Sequence, residues 1–215
     1  MDILYEDKNI VFCVKPAGVL SQSDEKGREN MPAMLAEKCG TQIFPVHRLD
    51  LEVGGVMVFA KSSQAAAKMS EITASHDKFV KTYLAVVEGA PEGKGTLEDL
   101  LYHDKSKNKT YVVKRERRGV KKAKLEYEVL QTATIEERAL SLVKVRLYTG
   151  RTHQIRVQFA SRGFPIAGDR RYGASANQSK IHLFSHKIEF VSPFDRSTLA
   201  FEALPEKNGA WAMFN

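Results

Sequence analysis

The chain is poor in the features that usually announce a chemistry. It has two cysteines, Cys13 and Cys39, and one tryptophan in 215 residues. Two cysteines make no disulfide framework, and they fit a reducing compartment. They also lie too far apart for a C-x-x-C metal pair. No apolar run approaches the ~18 residues of a membrane-spanning helix. The N-terminus, Met1-Asp2-Ile3-Leu4-Tyr5-Glu6-Asp7, lacks the charged-then-apolar order of a signal peptide. Neither G-x-G-x-x-G after a strand nor G-x-x-x-x-G-K-[ST] is present, which speaks against dinucleotide redox chemistry and phosphoryl transfer. There is no G-x-S-x-G nucleophile turn. His182 and His186 stand four apart in a strand-like run without the H-E-x-x-H glutamate, so a metal site is not expected.

What is present begins with charge. The net charge is +7, and it is unevenly placed. From Lys105 to Lys124 there are ten basic residues and one acid, Glu116, a net of +9; the rest of the chain carries −2. A basic segment on a near-neutral body suits a polyanion, with nucleic acid the first candidate. The plain alternative is a solvated loop.

Pattern suggests α+β. Strands are expected at 10–14, 56–60, 80–88, 125–132, 140–147, 181–191 and 198–203. Helices are expected at 32–39, from a Ser62 or Ser63 cap to about 75, and at 152–161. Residues 90–124 lose apolar side chains and gain charge, and are expected to be the least compact third. Strands and helices do not alternate as a parallel doubly wound sheet requires. The expectation is one catalytic domain over 1–215, with an internal two-lobed division. Its mixed, largely antiparallel sheet is divided by a central catalytic cleft and flanked by a few helices.

Two segments carry candidate chemistry. In the first, Asp50 follows His47-Arg48-Leu49 and precedes Gly54-Gly55 and an apolar strand. Basic neighbours favour the carboxylate form, and a desolvated carboxylate can act as nucleophile or base. A structural salt bridge with Arg48 explains the same residues, and local composition alone favours it. The second is Tyr148-Thr149-Gly150-Arg151-Thr152-His153-Gln154-Ile155-Arg156-Val157, a strand end, a turn and a helix start dense in donors. Such a turn suits phosphate or carboxylate recognition, or is simply a solvated basic helix end.

Together these segments resemble the RluA-type RNA pseudouridine synthase family. His47-Arg48-Leu49-Asp50 with Gly55 matches one signature. Thr149 to Val157, then Gly163-Phe164-Pro165-Ile166-Ala167-Gly168-Asp169 and Tyr172-Gly173, matches another. Lys15-Pro16-Ala17-Gly18 and Lys81-Thr82-Tyr83 match in order, so the resemblance spans about residues 5–190.

The resemblance implies an isomerase that converts uridine in ribosomal or transfer RNA to pseudouridine. It implies a compact form without a small N-terminal RNA-binding domain. Asp50 takes the place of the catalytic aspartate. Tyr83 takes that of the tyrosine packed on the base, a candidate proton acceptor. Arg151 stands for the basic partner of the aspartate, and Ile155 lines the base pocket. His47, Arg48, Lys114, Arg115, Arg117 and Arg118 are expected to contact substrate. The reaction rearranges the substrate's own atoms, so no cofactor and no metal are expected. The chain is expected to act in the cytoplasm, as a monomer, with RNA as partner and no membrane. One departure stands out: members commonly carry Thr-Ser where this chain has Val53-Gly54. That removes two hydroxyls near Asp50 and raises a runner-up, an RNA-binding protein of the same fold with impaired catalysis. A carboxylate-dependent nucleoside hydrolase is a third, weaker reading.

Overall fold

A computed structural model describes residues 1–75, 77–135, 138–175 and 178–214. The chain divides into two compact units. Unit 1 holds Met1–Lys81 and Phe184–Pro205; unit 2 holds Thr82–Leu183 and Glu206–Asn215.

Unit 1 is built on strands β1 (Ile3–Glu6), β2 (Ile10–Lys15), β3 (Phe44–Pro45) and β4 (Gly54–Ala60). Strands β10 (Leu183–Val191) and β11 (Thr198–Glu202) complete it after the chain returns from unit 2. The order is β1-β2-β4-β10, with β3 paired to β4 and β11 to β10. The β4–β10 pairing is parallel, through Phe184 with Gly54 and Ser185 with Gly55; β1–β2, β2–β4, β3–β4 and β10–β11 are antiparallel. Every residue of β4 is buried, as its unbroken apolar run requires. Phe12, Val58, Met69, Phe79 and Phe190 form the core beside it.

Helix α1 (Met31–Cys39) starts at Asn30, whose side chain accepts from the Ala33 N–H, and stops at Gly40. Helix α2 (Ser63–Thr73) starts at Ser62, which accepts from Ala65 N–H. The Gly40 stop is the one expected from the sequence, and Ser62 is the cap of the two candidates, Ser62 and Ser63.

Unit 2 orders its strands β5-β9-β8-β6-β7. These are β5 (Phe79–Glu88, its first residues in unit 1), β6 (Lys94–Asp104), β7 (Lys109–Val113), β8 (Val120–Ile135) and β9 (Arg138–Leu147). Helix α3 (Gln154–Ala160) packs Val157 against Leu101 of β6 and Ala123 of β8.

Residues 90–124, expected to be the least compact third of the chain, are not a loop. Most of it is paired strand: Leu97 faces Leu125, Leu101 faces Lys121 and Val112, and His103 faces Thr110. Leu97, Leu101, Thr110, Ala123 and Leu125 are buried, while Lys121, Lys122 and Glu98 are exposed. In strands with one wet face, about every second residue can be charged, and the apolar half is then masked by its neighbours.

Candidate active site

In unit 1 the backbone around Asp50 is held at successive residues. Leu49 is clamped by Ser21, whose hydroxyl donates to the Leu49 carbonyl at 2.9 Å and accepts from its N–H at 3.0 Å. The Asp50 carbonyl accepts from Val53 N–H at 3.1 Å, closing a tight turn. The Leu51 carbonyl accepts from Gly18 N–H at 2.8 Å and from Lys15 Nζ at 3.2 Å. Asp50 is half-buried at this turn.

Lys15 is the unexpected member. Its side chain is wholly buried, and its ammonium also donates to the carbonyls of Pro16 and Val19 at 2.9 and 2.7 Å. Burial pulls its pKa down to about 8, and the negative charge of Asp50 works against that pull. Three carbonyls and a nearby carboxylate thus stabilise a cation that would otherwise be costly inside the protein. In the sequence Lys15 is only the last residue of a strand before a Pro turn. The buried cation emerges when β2 and the 47–53 segment meet. Ser21 is hidden in the same way within a polar loop.

His47 is turned inward. Its Nε2 accepts from Val58 N–H at 3.2 Å, and its Nδ1 is buried with no hydrogen-bond partner among the described residues. Burial first, and the positive charge of Lys81 second, push its pKa down to about 3, so it is neutral. It ties the approach to Asp50 to β4. Arg48 is exposed.

Gly54 and Gly55 open β4. A Cβ on Gly55 would stand 2.3 Å from the Ser185 carbonyl oxygen, and its φ is +123°. One on Gly54 would stand 3.1 Å from the Lys15 carbonyl oxygen. Here the Val53-Gly54 departure has a local account: a small residue at 54 leaves room for β2, and the turn is closed by backbone and Lys15.

In unit 2, Tyr83 lies buried on β5, and Ile155 is buried on α3. Arg151 is half-buried, and its Nε donates to the Lys122 carbonyl at 3.0 Å. Gln154 holds this turn: its side-chain oxygen accepts from Thr149 Oγ1 at 2.7 Å and Arg151 N–H at 3.1 Å, and its amide donates to the Lys124 carbonyl at 3.1 Å. Two residues on, Arg156 forms a bidentate, fully buried pair with Asp169, at 2.7 and 2.9 Å. Their mutual pairing is what makes two buried charges tolerable. Lys114, Arg115, Arg117 and Arg118 are exposed around the β7–β8 turn, with the Arg117 guanidinium 4.7 Å from the Tyr102 ring centre. The structure thus groups His47, Arg48 and Asp50 in unit 1, and Tyr83, Arg151, Ile155 and the basic turn in unit 2.

His182 and His186 are both engaged by the main chain. His182 Nε2 accepts from Ala210 N–H, and His186 Nδ1 bonds the Ala203 carbonyl. No group of potential metal ligands occurs among the described residues, and none of their helices is long and apolar enough to cross a membrane.

Comparison with known proteins assigns the family. The model of the RNA pseudouridylate synthase family matches residues 9–161. The chain belongs to this family. A Bacillus subtilis (strain 168) protein named as an uncharacterized RNA pseudouridine synthase, YhcT, is 33% identical, over 94% of this chain and 68% of its own length. The tRNA pseudouridine synthase C of Haemophilus ducreyi is 35% identical, over 99% of this chain and 93% of its own. The fold matches the human RNA pseudouridylate synthase domain containing 1, with a TM-score of 0.78, 19% identity, and coverage of 97% and 85%. RNA pseudouridylate synthases are isomerases that act on uridine in RNA, and this chain is one of them by family.

Proposed function

We propose that this synthase isomerises a uridine of transfer RNA, and that Asp50 begins the reaction. The observation that carries the catalytic part is the setting of Asp50: a half-buried carboxylate on a turn pinned through Leu49, Asp50 and Leu51, beside the buried ammonium of Lys15. Pinning matters because a catalytic group held in place avoids an entropic cost at the moment of reaction. The choice of transfer RNA rests on the relative from H. ducreyi, named for that substrate and similar over nearly the whole chain.

In the proposed reaction the N1–C1′ bond of uridine breaks, the base turns, and C5 bonds to C1′. The proton on C5 is then lost and N1 gains one, so the atoms balance without a second substrate. Asp50 serves either by adding to C1′ or by taking the 2′ proton; both need it ionised. Tyr83 is assigned as the wall for the unstacked base, which can recover ~1–3 kcal/mol by stacking, and as the acceptor for the C5 proton. Arg151 is assigned as a catalytic cation, and Ile155 as part of the base pocket. Arg48 is assigned to the RNA and His47 to positioning. Cys13 and Cys39 are free thiols, in keeping with a cytoplasmic setting.

The test is tritium release from transfer RNA labelled at uridine C5, joined to mapping of pseudouridine in cellular RNA with and without the gene. Loss of one transfer-RNA position is the expected result. Loss confined to ribosomal RNA would replace the substrate; no lost position and no tritium release would leave only the RNA-binding reading.

A further inference from the structure

A cavity of about 700 Å³ opens in unit 2 beside the β6–β7 turn, the start of β8 and the turn that carries Arg151. Ligand sites commonly occupy ~300–1,000 Å³. Four cations line it: Lys105, Arg118, Lys121 and Arg151. The acid on its wall, Asp104, is already engaged. Its Oδ1 accepts from Ser106 N–H at 3.0 Å, from the Ser106 hydroxyl at 2.7 Å and from Lys107 N–H at 3.2 Å. Asp104 therefore builds the turn, and an excess of positive charge remains.

The cavity is also braced. The Thr110 hydroxyl of β7 donates to the Thr152 carbonyl at 2.8 Å, and Thr110 N–H donates to the Tyr172 hydroxyl at 2.8 Å. That hydroxyl lies 3.0 Å from His153 Nδ1. These bonds hold the β6–β7 hairpin to the Arg151 turn, so the four cations line a preformed space. Tyr102 adds an aromatic wall, with Arg117 over its ring.

We propose that this cavity binds a backbone phosphate of the RNA substrate. The inference rests on the isomerase reading at one point, that the substrate is an RNA. Phosphate is the chemistry that four cations and one engaged acid select. An RNA backbone, and not a free polyphosphate, is favoured because Lys105, Arg118 and Lys121 belong to the +9 segment, whose charge extends beyond the cavity. Contacts of this type position a strand without reading its bases.

The experiment measures binding of a fluorescent, short oligouridylate at three salt concentrations. It compares the wild type, Arg118→Gln/Lys121→Gln in the cavity, and Lys114→Gln/Arg115→Gln outside it. All four substituted residues are exposed, so folding should be preserved. The cavity pair should lower the slope of log affinity against log salt by about 0.7, the value for one lost single-strand phosphate contact. The outer pair should lower it less. In the wild type, oligouridylate should shield Lys105 and Lys121 from acetylation. Parallel slopes for wild type and the cavity pair would overturn the proposal, and so would equal losses in the two pairs, which would mean diffuse attraction. Shielding of Lys105 and Lys121 by sodium pyrophosphate but not by oligouridylate would reassign the cavity to free polyphosphates. Tritium release by the wild type is followed alongside: its absence counts against the isomerase reading, while the slopes judge the cavity either way.

Discussion

At the scale of single residues, the clearest expectations concern Asp50, Tyr83 and His47. Asp50→Asn keeps the shape of the side chain and removes its charge. It should cut tritium release by about 10²–10⁴-fold, the range for a positioned acid–base group, with thermal unfolding and oligouridylate binding close to wild type. A variant keeping a tenth of the activity would show that another group starts the reaction. Tyr83→Phe keeps the ring that packs on the base but loses the oxygen. A wild-type rate from this variant would restrict Tyr83 to packing. His47 governs a pH dependence. Its folded pKa, about 3, lies below the ordinary value of 6.5. Below pH 6.5 the unfolded chain takes up a proton that the folded chain refuses, so acid favours unfolding. Stability should therefore fall from about pH 6.5 down to about pH 3 through this group. Urea unfolding across that window should show a shallower fall for His47→Gln than for wild type; parallel profiles would mean that other groups carry the acid sensitivity.

At the scale of elements, the entry to β4 is the sensitive point. Gly55 has a φ of +123° and stands where a Cβ would press into the Ser185 backbone at 2.3 Å. The neighbour is main chain in a parallel pairing, so it cannot turn aside as a flexible side chain would. Gly55→Ala should cost about 1–3 kcal/mol for overpacking and about 1–3 kcal/mol more for the backbone conformation. Gly163 offers the contrast, with φ at +83° and nothing within 4 Å of a Cβ. Gly163→Ala should cost only the backbone part, ~1–2 kcal/mol. Chemical denaturation of the two variants checks the ranking. Equal costs would mean that the β4–β10 pairing yields to an extra methyl group. Helix starts show the opposite, local kind of control: Asn30 and Ser62 act on residues three positions away, inside the window that neighbouring sequence governs.

At the scale of the whole molecule, the path of the chain matters. Unit 1 is made of two separate stretches, and so is unit 2, so neither can be released by one cut. We propose that the chain behaves as one domain. Calorimetry should then give a single transition with matching calorimetric and van't Hoff enthalpies. Two transitions would make the units separate domains. Charge is also a property at this scale: +9 lies in one segment and −2 in the remainder. The segment is nonetheless folded, with Thr110 and Ala123 buried and most of its cations on the wet face.

By itself the sequence determined the α+β class, most strands to within a few residues, the start of α2 at Ser62 or Ser63, the Gly40 stop of α1, and the ordered motifs around Asp50 and Arg151. These depend on period, turn chemistry and neighbours within a few positions. It did not disclose that residues 90–124 are largely strand, because charged outer faces dilute the apolar signal of half-buried sheet. Nor did it disclose Lys15 or Ser21 as supports of the Asp50 turn. Their partners lie 36 and 28 residues away in the chain, and a lysine becomes a buried, carbonyl-held cation only when those segments meet. The cavity of Lys105, Arg118, Lys121 and Arg151 is of the same kind. Strand register and the hydrogen bonds of Thr110 bring those cations to one space, and no local pattern encodes that placement.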